Sequence, residues 1–314
     1  MTVSKQPLVI SIVGSTATGK SDLALDLAQR LGGEIINADS MQIYRGMDIG
    51  TAKVPIEQRR GIPHHLLDLW DVTEPANVAA YQRLARQRID EIHGRGLVAV
   101  VVGGSGLYVR SIFDDLDFPG TDAEVRARLH RELDSHGVEF LYARLADLDA
   151  AAAAAILPTN ARRIVRALEV IAITGQPFTA TLPTPVQVLP SIQIGLRRER
   201  ATLDARIDSR VDDMWSQGLV SEVHGLIQAG LREGITARQA LGYAQVLQLL
   251  DGAIDEQAAI EQTKSSTRKF ARRQESWFKR DSTVVWLDAA AGDLVDQALA
   301  VCDASTVSSS SHVN

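Results

Sequence analysis

The chain has 314 residues, 45% of them hydrophobic, a formal net charge of −6 and one cysteine, Cys302. That length suits one large domain or two modest ones with ample core, and no apolar run approaches the roughly 18 residues a membrane span needs. A lone cysteine excludes internal disulfides and cysteine-rich metal sites and suits a reducing cytoplasm, while the acidic balance requires local basic clusters to hold any polyanion.

Residues 1–7 lead straight into the first apolar run, so no secretory leader is expected. Residues 8–13 form a β-branched run of strand length that stops at Gly14. From Ser21 onward, Leu23, Ala24, Leu27, Ala28 and Leu31 recur at helical spacing until Gly32 and Gly33. Between strand and helix stand Gly14, Ser15, Thr16, Ala17, Thr18, Gly19, Lys20 and Ser21, a GxxxxGK[ST] phosphate-binding loop. Its glycines let successive backbone N–H groups face one concavity, and the helix N-terminus adds the positive end of its dipole. Lys20 is placed to reach outer phosphate oxygens, and the Ser21 hydroxyl to ligate Mg²⁺. A di- or triphosphate is expected here, and the loop alone does not name the molecule.

Residues 34–37 read as a second strand that delivers Asp39 to the sheet edge where α/β proteins bind ligands. Locally, Asp39 is equally well read as a helix cap or turn-former and as a catalyst facing Lys20. Residues 46–53 and 61–65 are glycine- and proline-punctuated loops. His64 and His65 suit structural or substrate-lining roles better than a metal pair, because no Cys or carboxylate cluster accompanies them. Residues 66–70 are a third strand candidate, with Asp68 a carboxylate that could support the metal indirectly, and residues 77–93 are helical. Residues 97–102 read as a buried strand ending on Gly103 and Gly104, where many ATPases and GTPases place a metal-holding aspartate. Without that aspartate or an Asn-Lys-x-Asp motif, a GTPase switch is not expected.

From residue 119 to 190 the texture changes to helices with basic faces, an alanine run and a proline-rich return strap at 176–190, which reads as a helical insertion. Arg126, Arg128, Arg131 and Arg144 lie in its first part; Arg162, Arg163 and Arg166 cluster on one helix as an anion-binding candidate. A returning strand at 191–196 precedes helices at 202–217, where Arg206 and Arg210 share a face, and at 220–229, 237–250 and 255–279. The last carries Lys264, Arg268, Lys269, Arg272 and Arg273 among Phe270, Trp277 and Phe278, the one patch basic and aromatic enough to suggest nucleic acid. A final strand at 284–287 precedes a tail, 305–314, expected to be disordered.

Taken together, GSTATGKS (14–21), NADSMQIYRGMDIGTAK (37–53), PHHLLD (63–68), VGGSGLY (102–108), RRIVRALEV (162–170), RIDSRVDDM (206–214), ARQALGYAQV (237–246) and STRKFARRQESWF (266–278) closely resemble the tRNA dimethylallyltransferases, or isopentenyltransferases. The segments span almost the whole chain in the family's order; Ser21 and Ser105 stand where relatives often have threonine. The resemblance implies an α/β fold: a P-loop NTPase-like parallel sheet core (1–118 and 191–304), an inserted helical domain contacting tRNA (119–190) and a helical C-terminal region. It implies that the loop holds dimethylallyl diphosphate with Mg²⁺, and that a flipped-out tRNA adenine enters from the other side. Asp39 is then the base for adenine N6 at position 37, with Lys20 and Arg210 stabilising the leaving diphosphate. Asp39, Ser40, Met41, Gln42, Ser105, Arg126, Arg162, Arg163, Arg166, Arg238, Gln239, Gly242 and Tyr243 are expected against tRNA, joined by Arg268, Arg272 and Arg273 from their basic clustering. A cytoplasmic monomer is expected. The competing readings are an ATP-dependent small-molecule or nucleoside kinase and an ATP-gated RNA-binding module without turnover.

Overall fold

The computed structural model describes residues 8–178 and 186–308. The first seven residues, seven residues of the proline-rich strap (179–185) and the last six residues of the expected tail (309–314) therefore lie outside the described residues. In chain order the elements are β1 (Val9–Gly14), α1 (Lys20–Leu31), β2 (Gly33–Asn37), β3 (His64–His65), α2 (Val78–Gly94), β4 (Val98–Val102), α3 (Gly106–Phe113), α4 (Ala123–Leu148), α5 (Ala150–Ala155), α6 (Ala161–Thr174), β5 (Ile192–Arg197), α7 (Arg200–Ser216), α8 (Leu219–Gln228), α9 (Tyr243–Leu250), α10 (Glu256–Phe278), β6 (Val284–Asp288) and α11 (Leu294–Ser308). The six strands make one parallel sheet in the order β3-β2-β4-β1-β5-β6.

A sheet covered on both faces needs strands that are largely apolar, and β1 meets that demand with the buried Ser11 as its one polar side chain. Val9 and Val13 join the core on one face, while Ile10 and Ile12 join the core on the other, where α1 contributes Leu23, Ala24, Leu27 and Ala28 and α11 contributes Ala298 and Cys302. The chain leaves β1 toward β2 and β4 on one side and reaches β5 and β6 on the other. That reversal puts a ligand crevice at the C-terminal end of β1. α1 ends where Gly32 takes φ 64° and its N–H bonds the Ala28 carbonyl.

The residues divide into two compact units, 1–114 with 187–314, and 115–186. The change of texture along the sequence places the insertion at 119–190. The second unit has its own core of Leu129, Leu141, Leu145, Ile164, Val165 and Leu168. Within it α4 kinks at Gly137, whose φ of 83° lies outside helical space.

Several expectations need correction. Residues 66–70 are not a strand: Leu66 and Asp68 have φ of 64° and 55°, and only Trp70 makes an isolated bridge, to Tyr44. The strand there is the two-residue β3. The helix expected over 237–250 breaks at Gly242, φ 84°, into a short turn and α9. The tail expected from 305 is helical through Ser308, because α11 closes one face of the sheet.

Candidate functional site

At the sheet's C-terminal edge an open cleft of about 450 Å³ is lined by Thr16, Gly19, Lys20 and Ser21 from the phosphate loop, and by Asp39, Gln42 and Lys53 from the segment after β2. Gly103 and Gly104 after β4, Arg210 on α7 and Gln274 on α10 complete it.

The phosphate loop closes on itself through short bonds. Thr18 Oγ1 and Lys20 Nζ both donate to the Ser15 carbonyl, at 2.8 and 2.6 Å. Gly14 has φ 138°, and a Cβ there would lie 2.6 Å from the Leu196 carbonyl oxygen, so no other residue fits. Ala17 sits at φ 63°, a strained position for a non-glycine residue. A long-range clamp also holds the loop: Gln274 Oε1 accepts the Thr16 N–H at 2.8 Å, and Gln274 Nε2 donates to the Gly104 carbonyl at 3.0 Å. Nothing local in the sequence marks Gln274, a glutamine that bonds 258 residues back.

The glycines after β4 are there for close approach. A Cβ on Gly103 would lie 2.2 Å from the Ala38 carbonyl oxygen, and one on Gly106 would meet Trp277 Nε1 at 2.1 Å. An aspartate at Gly103 would force the end of β2, and Asp39 with it, out of place.

The structure brings Lys20, Asp39 and Arg210 within electrostatic reach of one another. Burial lowers Lys20 to about 8, with the Asp39 charge opposing that shift and the Arg210 charge adding to it. Burial likewise lowers Arg210 from its ordinary value, and the like charge of Arg206 adds to the effect. Two under-solvated cations on one floor make an anion the natural occupant. Asp39 begins a turn rather than capping a helix: its Oδ1 accepts the Met41 N–H at 2.8 Å, and Asn37 Oδ1 accepts the Asp39 N–H at 3.0 Å. Ser40 and Ser105 are each other's partners, with Ser105 Oγ accepting the Ser40 N–H at 3.0 Å and donating to Ser40 Oγ at 3.1 Å.

The expected tRNA contacts fall into distinct environments. Asp39, Ser40, Met41, Gln42 and Ser105 are half-buried, with Asp39 and Gln42 lining the cleft, while Arg238 and Gln239 are exposed. Tyr243 requires correction. It is fully buried and its phenol donates to Glu222 at 2.5 Å, so it is an internal strut and not an exposed contact; Gly242 is buried beside it. In the second unit, fully buried Glu169 accepts from Arg126 and Arg166 at 2.9 and 2.8 Å, and Arg166 also donates to the Pro119 and Gly120 carbonyls. Arg162 and Arg163 are exposed at the start of α6.

The basic face of α10 is partly neutralised. Lys264, Arg268 and Arg272 pair in order with Asp212, Asp208 and Asp204 of α7, a ladder spaced four residues apart on both helices. Arg273 lies over the Phe270 ring instead, 5.7 Å from its centre. The α7 face away from the ladder carries Arg206, which donates to the Ala17 carbonyl at 3.1 Å, and Arg210. Asp68, read as indirect support for a metal, accepts from Lys53 Nζ at 2.6 Å.

Among the described residues no group of three or more His, Cys, Asp or Glu side chains could hold a metal unaided. The one expected ligand at the cleft is Ser21. This suits Mg²⁺, which takes most of its ligands from substrate phosphates and water. Among the described residues no helix is long and apolar enough to cross a membrane.

The family model described as IPP transferase matches residues 42–281. A Thermobifida fusca protein named tRNA dimethylallyltransferase is 62% identical over 301 residues, 94% of each chain. A protein of the same name from Streptomyces griseus is 60% identical over 281 residues, 90% of each. Among solved structures, the tRNA isopentenylpyrophosphate transferase of Bacillus halodurans is 40% identical, with a TM-score of 0.70 over 98% of each chain. A eukaryotic dimethylallyltransferase acting on tRNA is 28% identical, with a TM-score of 0.80 over 97% of this chain and 80% of that one.

Proposed function

The chain belongs to the IPP transferase family and is a tRNA-prenylating enzyme, and on that premise we propose that it moves the dimethylallyl group of dimethylallyl diphosphate onto N6 of adenosine 37, next to the anticodon. The observation that carries the reading is the meeting of a phosphate loop with Asp39 and Arg210 in one cleft whose β4 edge lacks the aspartate of a nucleotide hydrolase.

The diphosphate lies on the loop amides, with Lys20 and Arg210 as its counter-charges. The target adenine is extruded from the anticodon loop, because a stacked base would bury its amine. N6 is a weak nucleophile, since its lone pair is delocalised into the ring. As N6 forms its bond to the allylic C1, the C1–O bond breaks and its electron pair leaves with the diphosphate. Asp39 accepts the N6 proton. Negative charge grows on the departing oxygen, and Lys20, Arg210 and the loop amides stabilise it where it grows. When Mg²⁺ is bound, Ser21 contributes to holding it, and the ion supplies further charge neutralisation of the diphosphate.

The test is incubation with labelled dimethylallyl diphosphate or labelled ATP, each with and without unmodified tRNA. Isoprenoid label should enter tRNA, and EDTA should abolish the transfer. ATP consumption without any label in tRNA would instead support the kinase, and binding without turnover the RNA-binding module.

A further inference from the structure

We propose that Glu222, on α8 and outside the cleft, is a positioning residue for prenyl transfer: it holds loop 46–53 and, through it, the turn that presents Asp39. The inference rests on the transfer reaction above. Glu222 Oε2 accepts the Asp48 and Ile49 N–H groups at 3.1 and 2.7 Å, and Oε1 accepts that of Gly50 at 3.3 Å. Successive amides facing one point form a concavity that elsewhere binds a ligand anion. Here the protein's own carboxylate fills it.

Tyr243 completes the clasp. Its phenol donates to Glu222 Oε1 at 2.5 Å, and burial, with the neighbouring carboxylate, raises its pKa far above the ordinary range. The phenol therefore stays a donor at any working pH. Gly50 is required at the contact, since a Cβ there would lie 2.4 Å from Tyr243 Cε2.

From the clasped segment, bonds run to the catalytic turn. The Thr51 carbonyl accepts from Gln42 Nε2 at 3.0 Å. Lys53 Nζ, with its side chain 3% exposed, donates to the Tyr44 carbonyl at 3.0 Å, to Asp48 at 2.5 Å and to Asp68 at 2.6 Å. Gln42 and Tyr44 belong to the stretch that follows Asp39, whose Oδ1 is fixed by the Met41 N–H. Asp48, Thr51 and Lys53 themselves line the cleft, so the clasp sets this wall without touching substrate. Without the carboxylate, three amides and a phenol lose their acceptor at once, and the loop must move to find others.

The experiment compares Glu222→Gln and Tyr243→Phe with the parent in three measurements: melting temperature, affinity for dimethylallyl diphosphate, and single-turnover transfer to saturating tRNA. The phosphate loop shares no bond with the clasp, so donor affinity should stay within about two-fold. Transfer should fall about tenfold or more in Glu222→Gln and about threefold in Tyr243→Phe, and the double variant should be no worse than Glu222→Gln. A folded Glu222→Gln enzyme with the parent's rate would overturn the proposal, as would equal losses of donor affinity and rate. If Glu222→Gln does not fold, Tyr243→Phe decides: a slower step with unchanged donor affinity supports the clasp, and an unchanged rate overturns it. A parent enzyme that transfers no prenyl group would overturn both the clasp and the reaction it serves.

Discussion

The two walls of the cleft reach their shape by opposite routes. The phosphate loop is contiguous and largely self-closing: Thr18 and Lys20 both bond the Ser15 carbonyl, and strand and helix on either side fix its ends. Gln274 adds one remote clamp. The wall from Asp39 to Lys53 carries almost no regular structure, and its amides are held by Glu222 from 172 to 174 residues away. In the proposed reaction the first wall, which carries Lys20, serves donor binding and leaving-group stabilisation, and the second, which carries Asp39, supplies the proton acceptor for the chemical step. Damage to each should therefore leave a different kinetic signature.

The largest expected effect lies on the first wall. Lys20→Ala should lose roughly 3 kcal/mol of transition-state stabilisation or more, a fall of about 10²–10³-fold in kcat/KM for dimethylallyl diphosphate. Steady-state kinetics with saturating tRNA check it. The same residue sets a pH dependence. Its charged form binds the anion and its pKa is lowered to about 8 by burial, so donor affinity should be full below pH 8 and decline as pH rises through it. In the fold the sign is reversed: between pH 8 and the ordinary lysine value the unfolded chain binds more protons, so the charged lysine opposes folding at neutral pH. Lys20→Ala should therefore melt no lower than the parent. A clear loss of stability would mean that the lysine holds the loop together rather than serving the ligand.

A smaller effect should appear outside both walls. Arg268 is committed to Asp208, and breaking that half-exposed pair should cost below about 1 kcal/mol of stability. Arg273 has only the Phe270 ring as a described neighbour of this kind and is exposed. Arg273→Gln should lower the log–log salt slope of tRNA binding by about one unit at most, and Arg268→Gln by less. Filter binding across salt concentrations separates them. Equal slopes for both would show that the ladder opens when tRNA binds.

The same contrast governs how much could be read from the sequence. The phosphate loop was legible because its signal is local, with strand run, glycines, Lys20, Ser21 and helix periodicity all falling within residues 8–31. The place of Asp39 followed from the strand before it, and its proposed role from resemblance. Glu222 and Gln274 were invisible because their partners are remote and neither residue type nor spacing announces a carboxylate in an amide nest. Tyr243 was misread because a motif shows that a residue matters without showing which way it faces. The α7–α10 ladder did leave a trace, since Asp204, Asp208 and Asp212 share the four-residue spacing of Lys264, Arg268 and Arg272. Reading α10 by itself made a paired face look free.

The most direct test of the division between the walls is Asp39→Asn, with donor affinity and single-turnover rate measured side by side by rapid quench at saturating tRNA. Asparagine keeps an Oδ1 to accept the Met41 N–H, so the turn survives while the proton acceptor is lost. The measurement is made near neutral pH because the Asp39 charge also helps keep Lys20 protonated. The account predicts donor affinity within about two-fold of the parent and a transfer rate lower by roughly 10²–10⁴-fold. A variant that turns over within a few-fold of the parent would contradict it, leaving Asp39 a turn-former and giving the proton to another group or to the departing diphosphate.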